Sequence, residues 1–173
     1  GSGAALASGQ VWLATGNDLG GSLRTPAGFN GVVGFRPGPG IVPRGKRLQA
    51  FDTLWVEGPM GRSVSDVALM LDAQAGYGRE DPLSFLSPEI SYLETLNSSG
   101  SPKRIAFSRD LGVVHVSKQI AEITETSVLK LRDAGIEVTE EIPDFKGVLD
   151  AFQTLRAILL GTMMGPLLEK HRS

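Results

Sequence analysis

The chain has 173 residues, of which 41% are hydrophobic and 21% charged, with a formal net charge of −2 and no cysteine. That length suits one ordinary domain with its own core. The slight acidic balance excludes a nucleic-acid surface, which needs a basic excess, and the absence of thiols excludes disulfides, thiolate metal sites and a cysteine nucleophile.

The start, Gly1-Ser2-Gly3-Ala4, has no initiator Met, no basic region and no signal-like apolar stretch, so it reads as a cut. No apolar run is read as approaching a membrane span. Ser2 to Ala7 reads as a short helix or the tail of one, ending near Gly9. Val11 to Ala14 reads as a buried strand, Thr15 to Ser22 as a polar, glycine-bearing loop, and Pro26 to Gly31 as a compact turn or short helix. Val32 to Phe35 is a second strand candidate. Pro37-Gly38-Pro39-Gly40 excludes regular structure, and an ordered loop is expected up to about Glu57. Glycines crowd into this first third, where backbone geometry dictates residue identity.

Ser63 opens a helix as N-cap, with Asp66 completing a capping box. Val64, Val67, Ala68, Leu71 and Ala75 follow at helical spacing, and Gly76 closes the helix. Tyr77 to Pro102 reads as irregular, with one short helix near Pro88 to Leu96. A β-α-β pattern follows. Arg104 to Phe107 is a strand, and Ser117 caps a helix with an apolar face of Ile120, Ile123, Ser127, Val128, Leu131 and Ala134. Gly135 ends that helix, and Ile136 to Val138 is a strand expected parallel to the first. A final amphipathic helix covers Val148 to about Leu160. The fold class is α/β, a mixed β-sheet core flanked by helices.

The stretch from Gly16 to Ala27 carries the chemistry. Gly20 and Gly21 before Ser22 allow a tight turn with consecutive N–H groups pointing one way. Such an array suits an anion or a developing oxyanion, with Ser22 placed where an attacking oxygen belongs. Asp18 and Arg24 flank the turn as candidate pins. Taken alone, the same residues also read as a plain glycine-rich turn with an ordinary serine. The G-x-S-x-G elbow is not matched, because Arg24 stands at its second glycine. A Ser-His-Asp triad has only His115 and His171 to draw on, and both read as surface residues. Gly40 to Lys46 fits G-x-x-x-x-G-K, but Arg47 replaces the Mg²⁺-binding hydroxyl and Pro43 interrupts the loop, so it is a chance match. No metal site and no cofactor are expected.

The run GNDLGGSLRTPAGFNGVVGFRP resembles the core motif of the amidase-signature family, roughly G-T/S-D-x-G-G-S-I/V/L-R-x-P-A followed by G-V/I-x-G-F/L-K/R-P. Gly1 to Gly9 resembles the segment just after the family's G-G-S-S-G-G loop, and Gly58-Pro59-Met60-Gly61-Arg62-Ser63-Val64-Ser65-Asp66 its downstream helix start. The resemblance implies a partial amidase-signature domain over residues 1–173, with residues 1–62 as the nucleophile and oxyanion region and residues 63–173 as helices and a β-α-β unit. It implies amide hydrolysis through a serine–cis-serine–lysine triad. Ser22 matches the nucleophile, the N–H groups of Leu19, Gly20, Gly21 and Ser22 the oxyanion hole, and Asp18 and Arg24 the loop supports. The cis-serine and lysine then fall upstream of Gly1. Lys46, Lys103, Lys118, Lys130, Lys146 and Lys170 all follow Ser22, so little activity is expected of this chain alone.

Departures from the pattern are Asn17, Leu19, Asn30, Arg36 and the Gly38-Pro39-Gly40 segment, which weigh against the glutaminyl-tRNA amidotransferase branch. The implied partner is a small-molecule amide substrate, with no nucleic acid, no membrane span and a homo-oligomer as an option. A cytoplasmic location is expected from the lack of a targeting signal. The rival readings are a non-catalytic remnant of the fold and an amidotransferase-type subunit.

Overall fold

The computed structural model describes residues 1–98 and 100–171. These form helices α1 (Ser2–Ala7), α2 (Arg24–Asn30), α3 (Val64–Gln74), α4 (Tyr92–Ser98), α5 (Lys118–Asp133) and α6 (Val148–Lys170), and strands β1 (Ala14–Asp18), β2 (Val33–Gly34), β3 (Val56–Gly61), β4 (Arg104–Phe107) and β5 (Glu137–Glu140). The α/β class holds, with both strand senses present in two separate small sheets. The chain divides into two compact units, one from Gly1–Ser98 together with the chain from Leu155 onward, the other from the segment between them.

In the first unit the sheet order is β1-β3-β2, antiparallel throughout. The strand expected at Val11 to Ala14 is displaced. β1 instead occupies residues read as a loop, and Trp12 is 83% exposed, its ring 5.5 Å from the Arg62 guanidinium. β3 also falls on residues that lack strand alternation. Each strand is held by the other, from Ala14↔Met60 through Gly16↔Gly58 to Asp18↔Val56. Local propensity says little where pairing and packing decide.

The packing explains the glycines. Leu6, Leu23, Ala27 and Met60 form the core cluster, and Leu23 is fully buried. The register partners Gly16 and Gly58 flank its side chain: a β-carbon at Gly16 would lie 2.8 Å from Leu23 Cδ2, and one at Gly58 2.8 Å from Leu23 Cδ1. Both contacts are far inside van der Waals distance, and at Gly58 the β-carbon would also stand 2.5 Å from the Phe35 carbonyl oxygen, so a side chain at either position overpacks the core around Leu23.

α3 forms as its sequence dictates. Ser63 Oγ accepts from Asp66 N at 3.1 Å and Asp66 Oδ2 accepts from Ser63 N at 3.0 Å, which completes the capping box. α2 is bounded by Gly31, whose φ of 63° ends the helix in the left-handed region. α6 runs ten residues beyond the expected Leu160, through Gly161, Gly165 and Pro166. At its full length it is long and apolar enough to cross a membrane by length and composition, which corrects the reading that no run approaches a span. A core helix of a soluble protein passes the same test. Leu159 is buried, whereas Leu155, Ile158, Leu167 and Leu168 are exposed, and Gln49 Nε2 donates to Thr162 Oγ1 at 2.9 Å.

In the second unit β4 and β5 pair in parallel, from Arg104↔Glu137 to Phe107↔Glu140, with α5 between them in sequence. Gly135 takes a φ of 86° where the chain leaves α5. Of the expected apolar face of α5 only Val128 is half-buried, while Ile120, Ile123, Ser127, Leu131 and Ala134 stay exposed; the helix buries Ala121 instead, a residue outside that set. Two strands are too narrow to cover the full stripe of a helix.

Candidate active site

β1 ends at Asp18 and α2 begins at Arg24, so the Ser22 segment is the link between a strand and a short helix. Leu23, sunk in the core, fixes one side of that link. Asp18 fixes the other. Its carboxylate is fully buried and accepts from Gly21 N at 2.6 Å and Leu23 N at 3.4 Å. Arg24 closes on it with a two-pronged contact, Nε to Oδ2 at 2.9 Å and Nη2 to Oδ1 at 3.1 Å. The turn is therefore wrapped around one anion, and charge-assisted bonds of this kind are about twice as strong as neutral ones.

Burial opposes ionisation of Asp18, but the hydrogen bonds from Arg24 and Gly21, the Arg24 charge and the Leu23 N–H outweigh it and hold the carboxyl below its ordinary 3.8. The Arg24 guanidinium is held above its usual value by the hydrogen bond to Asp18, against its partial burial. Asp81 behaves in the same way: burial raises it, but the N–H groups of Arg44 and Leu83 and the Arg47 guanidinium, 2.7 Å away, lower it further. Both groups are depressed in the fold, so the unfolded chain takes up protons first as pH falls. Their stabilisation is complete above pH 3.8 and is lost as pH drops from there through the folded values. Urea midpoints are expected to fall below about pH 4, and Asp81→Asn is expected to flatten that fall. An unchanged acid slope in Asp81→Asn removes Asp81 from the account.

Gly21 requires its identity. Its φ is 113°, and a β-carbon there would stand 2.7 Å from Thr25 Oγ1. This conformation turns the Gly21 N–H onto Asp18, so one of the four expected oxyanion donors is already committed. The reason is that the buried carboxylate needs every donor within reach. Among the described residues no acceptor takes the N–H groups of Leu19, Gly20 or Ser22.

Ser22 is exposed, as is Gly20. Ser22 lines a cavity of about 210 Å³ together with Gly1, Ser2, Gly3, Ala4, Gly16, Pro26, Asn30 and Met60. Leu19, Gly20 and Gly21 do not line it. The polar side chains in it are Ser2, Ser22 and Asn30. Ser2 Oγ donates to the Thr15 carbonyl at 2.9 Å, and Asn30 Nδ2 donates to the Pro26 carbonyl at 2.8 Å. The cavity lining holds no lysine, histidine or carboxylate. His115 lines a different cavity, in the second unit, with Arg109 and Lys118. No grouping of three or more His, Asp or Glu suited to a metal occurs among the described residues.

Sequence reasoning passed over Arg36, which entered only as a departure from a motif. Its Nε stands 3.7 Å from Asp18 Oδ1, and its Nη2 donates to the Leu54 carbonyl at 2.9 Å. The available signal was a basic residue, Arg36, directly before Pro37 in the second element of the motif.

Comparison with known proteins places the chain in a family. The Amidase family model matches residues 1–161. An acylamidase of Rhodococcus erythropolis is 36% identical over 142 residues, 82% of this chain and 30% of that protein. A glutamyl-tRNA(Gln) amidotransferase component of Rubrobacter xylanophilus is 38% identical over 141 residues, 81% of this chain and 29% of that protein. Among solved structures, a bacterial aryl acylamidase superposes with a TM-score of 0.85 at 29% identity, covering 98% of this chain and 36% of that one. A 6-aminohexanoate cyclic dimer hydrolase complexed with substrate gives 0.83 at 26% identity, covering 97% and 36%. The chain thus spans about 30% of the length of the curated relatives it matches. Identity to the amidotransferase component, 38%, is comparable to that with the acylamidase, 36%, so the motif departures do not by themselves separate the two branches.

Proposed function

The chain belongs to the amidase family, and from that we propose that it carries the nucleophile of a serine amidase, with Ser22 as the group that is acylated. The carrying observation is an exposed serine directly preceding a buried leucine, with unpaired N–H groups at Leu19, Gly20 and Ser22 among the described residues. Ser22 Oγ attacks the amide carbonyl carbon and gives up its proton to a base. The carbonyl oxygen becomes an oxyanion held by the three N–H groups, with Gly21 serving as a strut of the turn. Collapse expels the amine, which takes the proton, and water then cleaves the acyl ester. One such donor is worth roughly 3–4 kcal/mol where it has been measured in a serine protease.

None of the side chains lining the cavity is titratable. We place the base and the bridging hydroxyl outside the present chain, as the resemblance to the serine–cis-serine–lysine arrangement implies. A serine hydroxyl without a base is a poor nucleophile. The chain alone is expected to turn over an anilide negligibly, whereas a family-length protein containing it is labelled at Ser22 by a fluorophosphonate. Ser22→Ala is expected to abolish labelling while shifting stability by less than about 0.5 kcal/mol, because the side chain is exposed. Labelling that survives Ser22→Ala ends the assignment.

The substrate is a small carboxamide and no cofactor takes part. A second reading is favoured by the amidotransferase relatives: the ammonia expelled as Ser22 is acylated goes to a partner instead of to solvent, and water then cleaves the acyl ester. Glutamine hydrolysis that rises on adding a partner protein distinguishes that reading from a free-standing amidase.

A further inference from the structure

Asp18↔Val56 is the last rung of the β1–β3 ladder, and the Ser22 turn hangs from its open end. Beyond that rung no strand pairing holds the turn to the incoming chain at Leu54. Arg36 crosses the gap: Nε lies 3.7 Å from Asp18 Oδ1, and Nη2 donates to the Leu54 carbonyl at 2.9 Å. Leu54 is itself fixed, its N–H donating to Asp52 Oδ1 at 3.0 Å. Asp52 lies 3.6 Å from Arg44, and its carbonyl accepts from Arg47 Nη1 at 2.7 Å. Arg47 is nearly buried and pairs with the buried Asp81. Arg44 lies over the Trp55 ring at 4.7 Å. The loop read from sequence as merely ordered is therefore a polar strap, anchored at Asp81 and ending on the anion beneath the turn.

We propose that Arg36 is a positioning residue for Ser22, clamping Asp18 to Leu54 and so fixing the turn through the Arg44–Arg47–Asp81 strap. The proposal rests on the Ser22 reading. Arg24 makes the hydrogen bonds to Asp18, but its side chain is 57% exposed and tethers the carboxylate only to α2, the element that follows the turn. Arg36, at 25% exposure, ties the same carboxylate to a different part of the fold. Two guanidinium anchors in different segments restrain the turn from both sides, which one does not.

The test compares wild type, Arg36→Met and Arg36→Lys by amide hydrogen exchange at Gly21 and Leu23, the two N–H groups bonded to Asp18, with α5 amides as internal reference. Arg36→Met is expected to speed exchange at both about ten-fold, the loss of one bond to a charged group, leaving α5 unchanged. Arg36→Lys is expected to recover part of the protection, since an ammonium retains the charge but lacks the fork to serve both partners. In a family-length protein, the rate of fluorophosphonate labelling should follow the same order. Exchange at Gly21 and Leu23 that matches wild type in Arg36→Met overturns the proposal. Should Arg36→Met not fold, Arg36→Lys and Arg36→Gln give the same comparison, and wild-type exchange in both overturns it equally. Absence of labelling in the wild-type family-length protein removes Ser22 as nucleophile and leaves the exchange result standing, so the two failures are separable.

Discussion

Asp18→Ala is expected to cost about 3 kcal/mol of folding stability and, in a family-length protein, to eliminate the fluorophosphonate labelling proposed for Ser22. The residue is fully buried, and its loss strands the N–H groups of Gly21 and Leu23 and leaves the guanidinium of Arg24 without its partner. Removing one member of a buried pair costs about 3–5 kcal/mol; the exposure of Arg24 to solvent lets it rehydrate, which favours the lower end. For a chain of this size that corresponds to a fall of roughly 6–12 °C in Tm. Asp18→Asn keeps the shape but loses the charge and points an amide at the arginine, so it should lie between wild type and alanine. A thermal melt within about 2–3 °C of wild type for the alanine variant contradicts the view that this carboxylate organises the turn.

Leu23→Ala is the second large effect, at about 4 kcal/mol, in the upper part of the range for buried leucines. The side chain is bounded by Gly16 and Gly58, which have no atoms to move into the space it vacates. A coupled result follows. Gly16→Ala alone drives a methyl to within 2.8 Å of Leu23 Cδ2 and destabilises, while its next nearest contact is Met60 Sδ at 3.6 Å. In the Leu23→Ala background that methyl has room and restores part of the loss. Urea titrations of the four proteins are expected to show a coupling of at least about 1 kcal/mol in the favourable sense. Strict additivity rules out the direct contact.

The elements that could be read from the sequence were those with local causes. Ser63 and Asp66 announce their helix because both arms of the capping box lie within four residues, and β4 and α5 are visible because their apolar patterns are regular. β1 and β3 were not legible. Their glycines and polar residues carry no alternation, since their identity answers to Leu23 and to each other across a long sequence separation. At the candidate site, Asp18, Ser22 and Arg24 stood within seven residues and were named from one motif. Two things required coordinates: that the Gly21 N–H is committed to Asp18, and that Arg36 reaches the same carboxylate from a loop well after Arg24. The second unit's helix face was misjudged for a related reason: periodicity shows that a face is apolar, not how much of it a two-stranded sheet covers.

The contrast between Ser22 and its neighbours bears on how such sequences diverge. Each residue that shapes the turn is answerable to the folding of the whole unit, whereas the hydroxyl at its tip supports nothing. Under the Ser22 assignment proposed above, a single substitution at Ser22 would remove the chemistry while leaving in place the buried Asp18 and Leu23 that shape the turn. Recognition of this string in a genome testifies to architecture first.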